Sequence, residues 1–181
     1  MTVADEFRAG LLAAIPSLRA FAASLVGRSD RADDLVQQAL TKAWAGQKGF
    51  QPGTNLRAWL FTILRNEFYS EMRRKRREVE DADGVHSRKL SVRPAQHGHL
   101  DMADMRTALR ELPTDQCEAL LLVAASGFSY DEAASICGVA VGTIKSRVNR
   151  ARNRLTELLG TDSESDFGPK AADEPVIGRA G

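Results

Sequence analysis

Apolar residues along the chain recur at spacings of three and four, and no stretch alternates as a strand would. The clearest pattern runs from Ser129 to Leu159. Ser129 followed three residues later by Glu132 is a capping-box pattern, which predicts a helix from Tyr130 to about Ile136. Gly138 just beyond it suits the left-handed residue that closes a helix. A second helix from about Val141 carries an apolar stripe, Ile144, Val148, Ala151, Leu155 and Leu158, while Lys145, Arg147, Arg150, Arg152 and Arg154 crowd the remaining circumference. Two helices joined by a tight glycine turn, the second with an apolar seam and a basic outer face, read as a helix-turn-helix. That pattern favours DNA binding over an arginine-rich surface hairpin.

The same periodicity orders the rest of the chain. Asp5 to Ala14 predicts one helix and Ser17 to Val26 another, with Pro16 in the first turn of the second and Gly27 closing it. Ser29 or Asp30 caps a third helix to about Ala45, with Leu35, Val36, Ala39, Leu40, Ala43 and Trp44 on its buried side and Asp33, Asp34, Gln37, Gln38 and Lys42 outside. Gln47 to Thr54 is a loop. Asn55 caps the longest helix, Leu56 to about Arg77, whose two apolar stripes require more than one packing neighbour. Glu78 to about Leu100 loses periodicity. Asp101 to Leu112 and Pro113 or Thr114 to about Ser126 are two further helices, the second nearly all core at Leu120 to Val123. The expected fold is all-α: a helical module over 5–80, a flexible linker over 81–100, a second module over 101–160, and a disordered acidic tail over 161–181.

Composition narrows the functions open to such a chain. With 181 residues, 43% of them hydrophobic, it can build one domain or two small cores. The net charge is only +1, but cations cluster at Arg73 to Arg77 and Lys145 to Arg154. A helix dipole accounts for some of the first run; five in succession point to phosphates. Cys117 and Cys137 lack CxxC spacing and read as reduced core residues of a cytoplasmic protein. All three histidines fall in the linker, where His97-Gly98-His99 has no metal-ligand partner, so neither a metal nor a cofactor is expected. The apolar N-terminal run is broken by Arg8, Pro16 and Arg19, which argues against a membrane span. No nucleotide-binding loop, zinc-hydrolase motif or catalytic triad on an ordered framework is present, so neither an enzyme nor a small-molecule substrate is expected.

In the order DDLVQQALTKAW, FQPGTNLRAWLFTILRNEFYSEMRRKRR and LPTDQCEALLLVAASGFSYDEAASICGVAVGTIKSRVNRARNRL, the chain resembles the extracytoplasmic-function sigma factors of bacterial RNA polymerase over residues 8 to 160. It is most similar to the general-stress-response sigma factors of alphaproteobacteria. The resemblance implies that Asp33, Asp34, Leu35, Val36, Gln37 and Gln38 dock on the clamp coiled coil of core polymerase. It implies that Phe50, Gly53, Thr54 and Asn55 form the loop holding a base flipped from the melted −10 element, with Trp59 and Asn66 on the supporting helix and Arg73, Arg74, Arg76 and Arg77 beyond. Lys145, Ser146, Asn149 and Arg150 match side chains pointed at a GGAA-like −35 duplex, and Thr143, Arg147 and Arg152 match positions nearer phosphate or the module's own packing. Expected partners are core polymerase, promoter DNA and a small anti-sigma factor that clamps the two modules, with no membrane.

Independently of the resemblance, positions 145, 146, 149 and 150 share one helix face opposite Ile144, Val148 and Ala151. One residue departs from expectation. Ala140 stands at the N-cap of the reading helix, where Ser or Thr is preferred. The rival of another class is a sigma mimic, a decoy that sequesters an anti-sigma factor without touching DNA; the intact basic faces count against it. A stand-alone helix-turn-helix repressor is disfavoured by the DDLVQQ segment.

Overall fold

The computed structural model describes residues 3–80 and 102–160. The described residues form α-helices with two short irregular turns and no strand. Helices α1 (Val3–Val26), α2 (Ser29–Ala45) and α3 (Leu56–Glu80) make a first bundle, with a 3-10 turn at Gln47–Gly49 before the loop into α3. Helices α4 (Met102–Arg110), α5 (Thr114–Leu120), α6 (Tyr130–Cys137) and α7 (Val141–Leu159) make a second. The expected linker, its histidines and the acidic tail lie outside the described residues.

Pro16 does not divide the N-terminal region: α1 is one helix of 24 residues with the proline inside it. A proline deprives the carbonyl four residues earlier of its donor. That residue, Leu12, is 58% exposed, so the orphaned acceptor lies on the solvent side. Phe7, Leu11, Ala14, Leu18, Phe21 and Ala22 are buried along the opposite side and hold the helix through the interruption. By length and composition Asp5–Val26 is apolar enough to cross a membrane, contrary to the reading of its interruptions. Its apolar stripe is instead the core of the first bundle. Gly10, which weakens a helix interior, sits where an added Cβ would lie 2.5 Å from Leu56 Cδ2, so it admits the start of α3.

Other boundaries shift for local reasons. Helix α2 begins one residue early, with Arg28 at the N-cap and no side-chain cap; Ser29 and Asp30 belong to its first turn. Trp44, expected inside, is 49% exposed, and Met72 and Met102 are also exposed. Helix α5 widens into a π-turn over Leu121–Ala125 before ending. The capping box forms as expected: Glu132 N–H donates to Ser129 Oγ at 3.2 Å, and Ser129 N–H donates to Glu132 Oε2 at 2.9 Å. Gly138 takes φ +66° and closes α6.

The two bundles touch. Phe61 of α3, fully buried, lies 5.1 Å from Phe21 in its own bundle and 4.9 Å edge-on from Phe128 in the other. Removing the cap of α6 tests the local account: Ser129→Ala should lower stability by about 1 kcal/mol. The change should shift the urea midpoint at constant slope.

Candidate nucleic-acid interface

Helix α7 has the two sides that its sequence requires. Ile144, Val148, Ala151 and Leu155 are buried, and Lys145, Ser146, Asn149 and Arg150 are exposed on the opposite side. Lys145 Nζ stands 5.9 Å over the Tyr130 ring, so α6 braces the base of that exposed face. Arg147 is turned back to its own module, with Nε 3.0 Å from Asp115 Oδ2 on α5. Thr143 and Arg152 are half-buried beside it. The N-cap Ala140 supplies no side-chain acceptor, so early amides of α7 lack the usual intramolecular cap. Helix N-termini in that condition favour anions.

In the first bundle Phe50 packs 5.7 Å from Phe7 and 5.4 Å from Trp59, with Trp59 also 6.2 Å from Phe7. Phe50 and Trp59 thus stand together, and both take part in packing. The loop between Phe50 and α3 is exposed, with Gly53 at φ +89° and Thr54 Oγ1 donating to the Gln51 carbonyl at 2.7 Å. Asn55 caps α3 through its Oδ1, which accepts from Ala58 N–H at 3.0 Å. Its amide nitrogen donates across to Glu132 Oε1 of the second bundle at 2.7 Å. Asn66 is exposed farther along α3. Arg73, Arg74, Arg76 and Arg77 are exposed near its end, where Arg74 Nε lies 3.5 Å from Glu78.

The residues expected to dock on polymerase separate into two sets. Asp34, Gln37 and Gln38 are exposed and line a shallow depression with Thr41, Lys42 and Glu67. Leu35 and Val36 are 1% and 4% exposed, so they hold α2 in its bundle and present nothing outward. Asp33 is held by Arg19 of α1 through two contacts at 2.7 and 2.8 Å. The expectation for Leu35 and Val36 is corrected accordingly, since a residue on the inner stripe of an amphipathic helix cannot also face a partner, whereas the Asp33 side chain is 46% exposed.

Sequence reasoning passed over a polar cluster between the bundles. Glu118 of α5 is fully buried, with Oε1 2.7 Å from Arg65 Nε and Oε2 accepting from Tyr69 Oη at 3.2 Å, both on α3. Burial raises the Glu118 carboxyl above its ordinary range, opposed chiefly by the Arg65 charge. Burial, followed by the field of Glu118, pushes the Cys117 thiol up to about 11 and the Cys137 thiol up to about 12. A lone carboxylate inside the apolar run of α5 was the available sign.

Comparison with known proteins places both bundles. The Sigma-70 region 2 family model matches residues 12–78, and the Sigma-70, region 4 model matches residues 102–155. The chain is 59% identical over 181 residues to the ECF RNA polymerase sigma factor EcfG of Rhodopseudomonas palustris, covering all of both chains. It is 36% identical over 137 residues to a probable RNA polymerase sigma-C factor of Mycobacterium bovis, covering 75% of this chain and 71% of that one. The fold is similar, with a TM-score of 0.77 and 59% identity, to the sigma factor RpoE solved in complex with the anti-sigma factor NepR from Bartonella quintana. That likeness covers 87% of this chain and 99% of the other.

The raised thiols carry a direct test. At about pH 8, near the ordinary thiol value, Cys117 and Cys137 should resist iodoacetamide in the folded protein and react once it is unfolded in guanidinium chloride. Rapid native alkylation, read by intact mass, would contradict the burial assigned to them.

Proposed function

The chain belongs to the extracytoplasmic-function sigma factors of the sigma-70 family, and from that premise we propose how its surfaces divide the initiation of transcription. The exposed face of α7 supports assigning Lys145, Ser146, Asn149 and Arg150 to the −35 major groove. Arg or Lys to guanine and Asn to adenine are the favoured geometries, each contributing about 1–3 kcal/mol of discrimination. Thr143 and Arg152 set the helix against the backbone, and Arg147, tied to Asp115, fixes its seat on the module. Phosphate at the uncapped start of α7 completes the docking.

Phe50, Gly53, Thr54 and Asn55 receive a base drawn from the melted −10 element. Trp59 supports that loop from below, and Asn66, Arg73, Arg74, Arg76 and Arg77 follow the strand along α3. Unstacking a base costs a few kcal/mol, which an aromatic-backed pocket offsets. Asp34, Gln37 and Gln38 meet the clamp coiled coil of core polymerase. The polymerase carries out the bond chemistry, and this chain selects the start site in the cytoplasm, at stress-response promoters. A small anti-sigma factor is the expected regulator, in keeping with the RpoE–NepR complex to which the fold is similar. The observation that carries the reading is the exposed quartet on α7 standing over a buried seam; a decoy has no need of it.

Run-off transcription with sigma-free core polymerase tests the whole assignment, since a decoy or repressor yields no promoter-selective transcript. Arg150→Ala should reduce the preference for a matched over a mismatched −35 element by about 1–3 kcal/mol and leave retention on immobilised polymerase unchanged. The double substitution Asp34→Ala, Gln37→Ala should do the reverse, weakening retention on polymerase while sparing −35 preference.

A further inference from the structure

Helix α1 turns to solvent a face more apolar than a solvated helix needs. The stretch Asp5–Val26 is apolar enough to cross a membrane, and its buried stripe accounts for only part of that character. Leu12 on α1 and Trp44 on α2 both stand exposed. Beside them runs an open groove between the two helices, lined by Arg8, Leu11, Leu12, Ile15, Leu40 and Trp44.

The exposed side of α1 that borders this groove has an order of its own. Asp5, Arg8, Leu12, Pro16 and Arg19 follow at intervals of three, four, four and three, all exposed and all on one side of the helix. The spacing is the same from either end, so two such helices laid antiparallel across a two-fold axis at Leu12 match level for level. Leu12 then meets Leu12. Arg8 reaches the level of Pro16, where the proline leaves the Leu12 carbonyl without its helical donor, and a guanidinium supplies one. Asp5 reaches Arg19, which spends Nε and Nη2 on Asp33 and keeps Nη1 for a second carboxylate. Trp44, 6.5 Å from Phe7, stands at the Arg8 end of the groove and closes over Ile15 of the second copy.

We propose that this face pairs with a second copy of the chain, α1 against α1, about a two-fold axis through Leu12. Exposed charges add little affinity, so Leu12, Ile15 and Trp44 hold the pair and the charges set its direction. Thr41 of α2 lines both this groove and the depression of Asp34, Gln37 and Gln38. A copy seated on α1 therefore overhangs the polymerase surface, and the paired chain does not load. That consequence rests on the sigma-factor reading; the pairing itself does not.

Leu12→Cys and Ala23→Cys each place a thiol on the same exposed face of α1 at a different level, and the native Cys117 and Cys137 are buried. On mild oxidation of the full chain, Leu12→Cys should link to itself. Ala23→Cys should not, because antiparallel pairing about Leu12 holds those two positions about 33 Å apart, and a disulfide needs about 7 Å or less between Cα atoms. In sedimentation equilibrium the mean mass of the parent should rise from monomer toward dimer with concentration, and Leu12→Asp should weaken the association about tenfold or more. The linked Leu12→Cys dimer should be lost from immobilised core polymerase, and reduction should restore its retention. A parent that stays monomeric at every concentration overturns the pairing. So does a dimer that Leu12→Asp leaves intact or that links more readily through Ala23→Cys. Equal retention of linked and reduced chains overturns the occlusion. A reduced chain that gives no promoter-selective transcript strikes instead at the sigma-factor reading, and sedimentation still decides the pairing.

Discussion

A carboxylate withdrawn from water must find charge or donors nearby, and Glu118 finds its counter-charge in the other half of the chain, with the Cys137 thiol beside it in its own. Arg65 and Tyr69 answer it from α3, and that meeting ties the two bundles together at a buried point. The pair need not add much net stability, because desolvating two ions offsets most of their attraction. Its effect is on geometry. Either charge left alone in the seam costs several kcal/mol, so the bundles register against each other in one way or come apart. The stacked aromatics Phe21, Phe61 and Phe128 extend this seam into both cores, each contact contributing about 0.5–1.5 kcal/mol beyond the area it buries.

Most of the helical order was legible in the sequence because the signals are local. Ser129 and Glu132 predict their own cap, Gly138 its left-handed turn, and the spacing of Ile144, Val148, Ala151 and Leu155 the seam of α7; each is found. Where local rules compete with packing, packing prevailed. Pro16 should end a helix, but its neighbours on the buried side belong to one continuous stripe. Trp44 sits on the apolar side of α2 by periodicity and still lies half exposed beside Leu12 and Leu40, at the open end of a groove between α1 and α2.

The candidate site was legible in the same uneven way. Lys145, Ser146, Asn149 and Arg150 share a face by arithmetic alone, and the structure exposes all four. Leu35 and Val36 were assigned outward roles through resemblance although their own periodicity pointed inward, and burial sides with periodicity. The seam between modules could not be read, because Arg65 and Glu118 are far apart along the chain and neither has a local reason to be buried.

Glu132 spends its two oxygens differently. One belongs to the first turn of α6 and the other to Asn55 of the opposite bundle. The cap of α6 and a contact between the bundles are therefore written into one side chain, and no replacement there can remove the first while leaving the second as it was. A melting temperature recorded for such a mutant is a composite of the two losses, and replacing Asn55 alone, which keeps the Ser129–Glu132 cap, separates them.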